Sequence, residues 1–372
     1  MILSSIVGIP KIFFRAIEIK FWKKQGRVLP LYFINFLITY HCNARCSMCS
    51  IWQKYKKDPR QGNNELTLEE IKKFLKENKN YLRNLKHIGI TGGEAFLRED
   101  IVEIVKAIKE ILPWVETGIQ TNGLSPQFVL EKTEKILKFY PNFSLSVSID
   151  GLGETHDKVR GIPKAFDKAV KTIKGVQELG VKNISCGMTI SSKNYKQILK
   201  TQKYVEDKLN CRFTCFLSDE SDYYFDNIGK NQILDKKQTA AVIRQLKNYE
   251  GDYYLDNLRQ MMEKGKRRTL PCYSGYTSIV IDPFGEVMPC VLKSWKFGNI
   301  KTQRLKEMMS SQNAIQIRKK IDGCICFSQC EVSSSAVVDV FDVLRWFLTS
   351  SLSGKKQFLT SLLKEKKQFL EG

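Results

Sequence analysis

Thr39-Tyr-His-Cys42-Asn-Ala-Arg-Cys46-Ser-Met-Cys49 is the stretch on which the reading turns. It closes a β-rich run at 33–39 and sets three cysteines at CxxxCxxC spacing in the loop that follows. Thiolate is a soft ligand that selects zinc or iron–sulfur. A structural zinc site normally has four protein ligands. Three clustered cysteines without a local fourth suit a four-iron cluster that keeps one iron open. A zinc site completed by His41 or by a distant residue is the alternative.

Outward from this loop, β-rich runs at 33–39, 87–91, 115–121, 143–149, 184–190 and 213–217 alternate with helical patterns. Thr67 with Glu70 makes a capping box before Ile71, Phe74 and Leu75. Glu99 and Asp100 suit the first turn of a helix through Ile104 and Ile108. Ser125-Pro126 is an N-cap followed by proline at the first helical position. Six strand–helix units in series imply a parallel sheet with helices outside. Six is fewer than the eight of a closed barrel. The expected fold is therefore α/β, a partial (β/α)6 TIM-like barrel, with its chemistry at the carboxyl ends of the strands.

Further motifs follow in order, and together the pattern resembles the radical S-adenosylmethionine (radical SAM) superfamily over residues 30–217. The resemblance implies that Cys42, Cys46 and Cys49 hold a 4Fe–4S cluster whose open iron is chelated by S-adenosyl-L-methionine (SAM). Thr91-Gly92-Gly93-Glu94, after the second strand, looks like the family's glycine-rich motif, whose backbone binds the SAM amino group. Asn122, in Thr121-Asn122-Gly123, matches a ligand-contacting position, with a simple turn as the alternative. Ser148 and Asp150 match positions that bind the SAM ribose, and lying two apart they are expected on one face of a strand. Arg160, in the polar stretch 154–161, is a further SAM-contact candidate. No catalytic side chain beyond these ligands is assigned. The implied chemistry is reductive cleavage of SAM to a 5′-deoxyadenosyl radical, which abstracts hydrogen from a substrate. It implies a low-potential electron donor such as flavodoxin or ferredoxin.

A second cysteine group lies later in the chain: Cys272, Cys290, Cys324, Cys326 and Cys330. Asp282-Pro-Phe-Gly285 is a hairpin turn between two β runs. This pattern resembles the SPASM and twitch extensions, which hold auxiliary iron–sulfur clusters. The count fits one auxiliary cluster, the twitch case, on Cys272, Cys290, Cys326 and Cys330, with Cys324 as the candidate replacement for one of them. Zinc or free thiols are the alternative. Cys186, Cys211 and Cys215 fall on expected strands and read as core.

The chain has 372 residues and a formal net charge of +21. Residues 1–30 and 345–370 each hold six basic residues against one acidic, so much of the excess sits at the two ends. Ile2, Ile6, Ile9, Phe13 and Ile17 recur at helical spacing, with Pro10 expected to kink or restart the helix. Val337, Val338, Phe341, Leu344, Trp346, Phe347 and Leu348 form a second apolar block. Phe358, Leu359, Leu362, Leu363, Phe369 and Leu370 form a third, with Gly354 expected to separate the two helices. No run reaches the ~18 apolar residues of a spanning helix, and no cleavable signal is visible. A cytoplasmic protein, peripheral on an anionic membrane surface, is the expectation. The expected organisation is a basic amphipathic segment at 1–29, the barrel at 30–217 and a helical connector at 218–270. An iron–sulfur extension at 271–332 and amphipathic basic helices at 333–372 complete it.

The basic ends favour a lipid or lipid-linked substrate. The alternative is a maturase that crosslinks or oxidises a ribosomal peptide, disfavoured here because only 41 residues precede Cys42, too few for a peptide-recognition domain. RNA modification is less favoured still, because no RNA-binding module or RRM-like aromatic signature accompanies the charge. The stretch 218–226 is acidic and aromatic and reads as a solvated connector rather than a substrate loop.

Overall fold

The computed structural model describes residues 9–25, 29–229, 234–265, 268, 270–326, 328, 332 and 340–360. Cys330, Ile2, Ile6, Val337, Val338 and residues 361–372 lie outside them. Six strands form the expected units: β1 (Phe33–Leu37), β2 (His87–Thr91), β3 (Glu116–Thr121), β4 (Ser144–Ser148), β5 (Asn183–Ile190) and β6 (Arg212–Leu217). Each pairs parallel with the next, so β1 to β6 make the partial barrel. Their outward residues, among them Ile34, Phe36, Ile88, Ile90, Val147 and Cys186, are buried under the helices. Cys211 and Cys215 are buried as well.

Local signals place the helices. Thr67 and Glu70 close a reciprocal capping box at the start of α2 (Leu68–Asn78). Ile71, Phe74 and Leu75 of its inner face are buried, at the i, i+3, i+4 spacing of an amphipathic helix. In α3 (Ile101–Ile111) the buried positions include Ile101, Ile104, Val105 and Ile108 on the same logic. Pro126 takes the first position of α4 (Pro126–Leu137), while the Ser125 hydroxyl accepts from Asn43 Nδ2 at 2.9 Å instead of capping.

The cysteine-rich extension is not a separate layer. Strand β7 (Ser278–Ile281) pairs parallel with β1, Phe33 opposite Ser278 and Phe36 opposite Ile281. Strands β8 (Glu286–Met288) and β9 (Gly298–Asn299) then add antiparallel, giving one nine-stranded sheet in the order β6-β5-β4-β3-β2-β1-β7-β8-β9. The 282–285 turn joins β7 to β8 as expected, with Gly285 at φ +88°. Because β1 and β7 run parallel, Asp282 at the end of β7 stands on the same rim as the cysteine loop after β1.

Among the described residues α1 (Ile9–Lys24) runs without a break past Pro10. Gly354 does not separate the C-terminal helices. The break falls at Ser350 and Ser351, and Gly354 lies inside the helix over 352–360. A Cβ there would stand 2.9 Å from the Glu250 carbonyl oxygen, so glycine serves close approach. No helix among the described residues is long and apolar enough to cross a membrane.

Candidate functional site

The sulfur-bearing residues Cys42, Cys46 and Cys49 all line one cavity of about 640 Å³. Their loop is clamped from three sides by backbone hydrogen bonds. Arg45 and Ser47 N–H donate to the carbonyls of Arg160 and Val159, both at 2.9 Å. Gly93 and Glu94 N–H donate to the carbonyls of Thr39 and His41, both at 2.7 Å. Ser50 N–H donates to Phe225 O at 2.8 Å, and Asn227 Nδ2 to Met48 O at 2.8 Å.

The two glycines are required by contact. A Cβ on Gly92, at φ +138°, would stand 2.3 Å from Thr39 O, and one on Gly93 2.1 Å from His41 O. Both line the cavity. Glu94 does not: it is buried, and its carboxylate accepts from Thr121 Oγ1 at 2.8 Å, Asn122 N–H at 2.7 Å and Phe96 N–H at 3.3 Å. It ties the end of β2 to the end of β3. Asn122 does reach the cavity, donating from Nδ2 to Asn43 Oδ1 at 2.8 Å and to Cys42 Sγ at 3.8 Å.

Ser148 and Asp150 separate. Strand β4 ends at Ser148, so the alternation of a pleated strand stops there. Ser148 lines the cavity, whereas Asp150 turns into the protein and is fully buried. Its Oδ1 accepts from Thr189 N–H at 2.8 Å and its Oδ2 pairs with Arg160 Nη2 at 2.7 Å. Burial raises the Asp150 pKa, and the Arg160 charge works against that rise. Arg160 closes the short helix α5 (Glu154–Arg160), faces the cavity and donates from Nη1 to Cys46 Sγ at 3.6 Å. On the same helix His156 accepts from Asp150 N–H at 2.9 Å through Nδ1. Burial, then the Arg160 charge, push the His156 pKa down to about 3, so the ring stays neutral and can accept.

Burial pushes the Cys42 and Cys49 thiols up to about 12 and also raises Cys46, against the pull of Arg160. Buried thiols that gain N–H donors on sulfur, from Arg160 and Asn122, are the surroundings that a thiolate-bound cluster needs. The three cysteines would hold that cluster, while Gly92, Gly93, Asn122, Ser148 and Arg160 line the space beside it for SAM.

Sequence reasoning missed the segment after β6. It is folded over the cysteine loop instead of being a solvated connector. Tyr224 is buried, lines the cavity and donates from its hydroxyl to Gly92 O at 2.8 Å. Tyr223 donates to Asp282 Oδ2 at 2.5 Å, which joins the segment to the hairpin of the extension. Lys54 Nζ donates to Tyr223 O at 2.7 Å from the cysteine side. Asp219 also lines the cavity and is its single carboxylate among the described residues. Burial raises its pKa to about 7. The usable signal was position: aromatic and acidic residues directly at the end of a barrel strand.

In the extension Cys272 and Cys290 are buried, and Cys324 and Cys326 are half-buried with their thiols hydrogen-bonded to each other. That bond pulls the Cys324 thiol down, while the electrostatic influence of Cys272 and Cys290 reaches it. Arg268 braces the site, donating to Leu270 O at 2.7 Å and to Cys326 O at 2.9 Å. Among the described residues no three His, Cys, Asp or Glu side chains already converge to hold a single metal ion. The cluster assignment rests on donor chemistry and on the family matches below.

The lumen under the cysteine loop mixes polar and apolar side chains. Asn35, Gln120, Ser144, Ser146, Ser185 and Thr214 line it, with Gly89, Gly118 and Gly187 leaving space between them. A closed TIM barrel fills these positions with bulky branched residues.

Comparison with known proteins agrees with this geometry. The radical SAM superfamily model matches residues 36–205, and that of the SPASM iron–sulfur cluster-binding domain matches 272–331. The subtilosin bacteriocin biosynthesis protein AlbA of Bacillus subtilis is 27% identical over 282 residues, 73% of this chain and 58% of that protein. The sporulation killing factor maturation protein SkfB of the same organism is 25% identical over 299 residues, 80% and 69% of the two chains. This chain thus spans little more than half the length of AlbA. The fold matches the crystal structure of Streptococcus suis SuiB bound to its precursor peptide SuiA, with TM-score 0.60 at 18% identity over 81% of this chain and 70% of SuiB. The chain thus carries a radical SAM domain at 36–205 followed by a SPASM iron–sulfur cluster-binding domain at 272–331, two domains that imply 4Fe–4S clusters and SAM.

Proposed function

We propose that the substrate is a ribosomally made precursor peptide, on which the enzyme forms a crosslink or another net oxidation. The observation that carries this is the breadth of the likeness to AlbA and SkfB, which takes in barrel and extension together. Those proteins are named for bacteriocin biosynthesis and for maturation of a killing factor. The lumen is compatible with the same reading, since hydroxyl and amide groups stand among its apolar residues and can hydrogen-bond a peptide chain. The expected lipid substrate is therefore set aside in favour of the peptide.

When bound, cluster and SAM supply the 5′-deoxyadenosyl radical that takes a hydrogen atom from the peptide. Joining the resulting carbon radical to a neighbouring X–H group releases one proton and one electron. Asp219 accepts the proton, since it lines the cavity and titrates near neutrality. Cys272, Cys290 and two of Cys324, Cys326 and Cys330 would hold the auxiliary 4Fe–4S cluster, which would supply the acceptor for that electron, and a flavodoxin- or ferredoxin-type protein would supply the reducing electron to the barrel. Anaerobic co-expression with the short open reading frames beside its gene tests this by mass spectrometry. A peptide lighter by two hydrogens per linkage is expected, and unchanged masses for all of them would refute the peptide reading.

A further inference from the structure

Helix α1 and the helix Val340–Thr349 touch, and both carry exposed apolar side chains. Helix α1 docks through Ile19, buried against Leu29, Tyr32, Tyr273 and Tyr276, and through an ion pair from Lys23 to Asp322. The C-terminal helix Val340–Thr349 docks through Trp346, which is buried and donates from its indole N–H to Asp256 Oδ2 at 2.8 Å. The helix over 352–360 docks through Gly354 against Glu250, with Gly251 N–H donating to Gln357 Oε1 at 3.0 Å. Lys20 Nζ lies 5.1 Å from the Phe341 ring centre and links the two ends.

Each helix has thus already buried the side that holds it to the body. A second apolar stripe points away. Ile17 and Phe21, four residues apart on α1, are 53% and 57% exposed. Leu344 and Leu348, again four apart, are 40% and 63% exposed, and Leu352 and Leu359 extend the stripe. Single exposed leucines need no explanation, but exposed apolar pairs on two touching helices do. Lys24, Arg345 and Lys356 are exposed on these helices, with the acidic Glu18 exposed beside Ile17 and Arg345 paired to Asp342 Oδ1 at 3.3 Å.

We propose that these helices rest on an anionic phospholipid surface, with the apolar stripe at the headgroup boundary and their exposed basic residues against lipid phosphates. The amphipathic pattern with exposed Lys and Arg fits a helix lying in the interface, and no described helix is able to cross. Charge argues against a second copy as the occupant. A two-fold contact sets the same patch against itself and would oppose Lys24, Arg345 and Lys356 with their own copies. An anionic surface complements them. The docking stands independently of the peptide reading, because it uses no residue of the cavity.

Co-sedimentation of the full-length holoenzyme under anaerobic conditions tests it, with vesicles of phosphatidylcholine alone or mixed with phosphatidylglycerol. Binding to the mixed vesicles is expected at physiological salt, with roughly tenfold weaker binding to the neutral ones. The double variant Phe21→Ser/Leu348→Ser should bind the mixed vesicles roughly tenfold less, at unchanged iron content and circular dichroism. No binding, equal binding to both vesicles, or wild-type binding by the double variant would overturn the proposal. So would a dimer that the double variant abolishes in a protein that ignores vesicles.

Discussion

The guanidinium of Arg160 stands 3.6 Å from the sulfur of Cys46 while its other terminal nitrogen pairs with the buried carboxylate of Asp150 at 2.7 Å. One side chain therefore couples the end of β4 to the cysteine loop. Arg160 also accepts the Arg45 N–H through its own carbonyl, so helix α5 positions the loop by backbone and side chain together.

Breaking this pair is expected to be costly. Arg160→Gln leaves Asp150 buried without its counter-charge, which should destabilise the fold by about 3 kcal/mol or more. Iron retained on the barrel should fall with it. Arg160→Gln with Asp150→Asn removes both charges and should recover part of the lost stability, as read from denaturant midpoints of the double-mutant cycle.

Glycine substitutions should split by contact. Gly93→Ala would force a Cβ to 2.1 Å from a backbone oxygen and should abolish cluster retention. Gly153→Ala meets nothing within 4 Å, and its cost should be only that of its backbone at φ +52°, ψ −128°, about 1–3 kcal/mol. Iron content and unfolding midpoints of the two variants distinguish contact from conformation.

Asn227 donates both to Met48 O on the cysteine loop and to Asp219 O on its own segment. Asn227→Ala orphans two carbonyls and should loosen this cover by about 1–3 kcal/mol. The expected readout is faster bleaching of the iron–sulfur absorbance in air, with the initial absorbance intact. Bleaching at the wild-type rate would show that the segment does not shield the loop.

Asp219 gives a pH signature. Its folded pKa, about 7, lies above the ordinary aspartate value because burial disfavours the charged form. Its contribution to stability is thus fully present in acid and lost as pH rises toward 7. Asp219→Asn should unfold at a higher temperature than wild type at pH 8, and this advantage should shrink toward pH 5. Parallel curves across that range would contradict a raised pKa.

The six strands, the capping box at Thr67 and Glu70 and the 282–285 turn were legible in the sequence, because each depends on residues a few positions apart. Pairing of β7 with β1 was not, since it joins segments more than two hundred residues apart that carry no local mark of each other. The same holds at the site. Three cysteines in one loop announce themselves, but Asp150 turns inward because its strand stops at Ser148, one residue earlier than the β-rich pattern does. Tyr224 and Asn227 read as loop residues until the chain folds them over Gly92 and Met48.

Iron analysis of the anaerobically reconstituted protein, paired with SAM cleavage after reduction, tests the division of the cysteines most directly. With one four-iron cluster on the barrel and one on the extension, wild type should hold about eight irons per chain and release 5′-deoxyadenosine. Cys42→Ala should hold about four and release none. Zinc in place of iron, or a Cys42→Ala variant that keeps both its full iron and its SAM cleavage, would contradict the account.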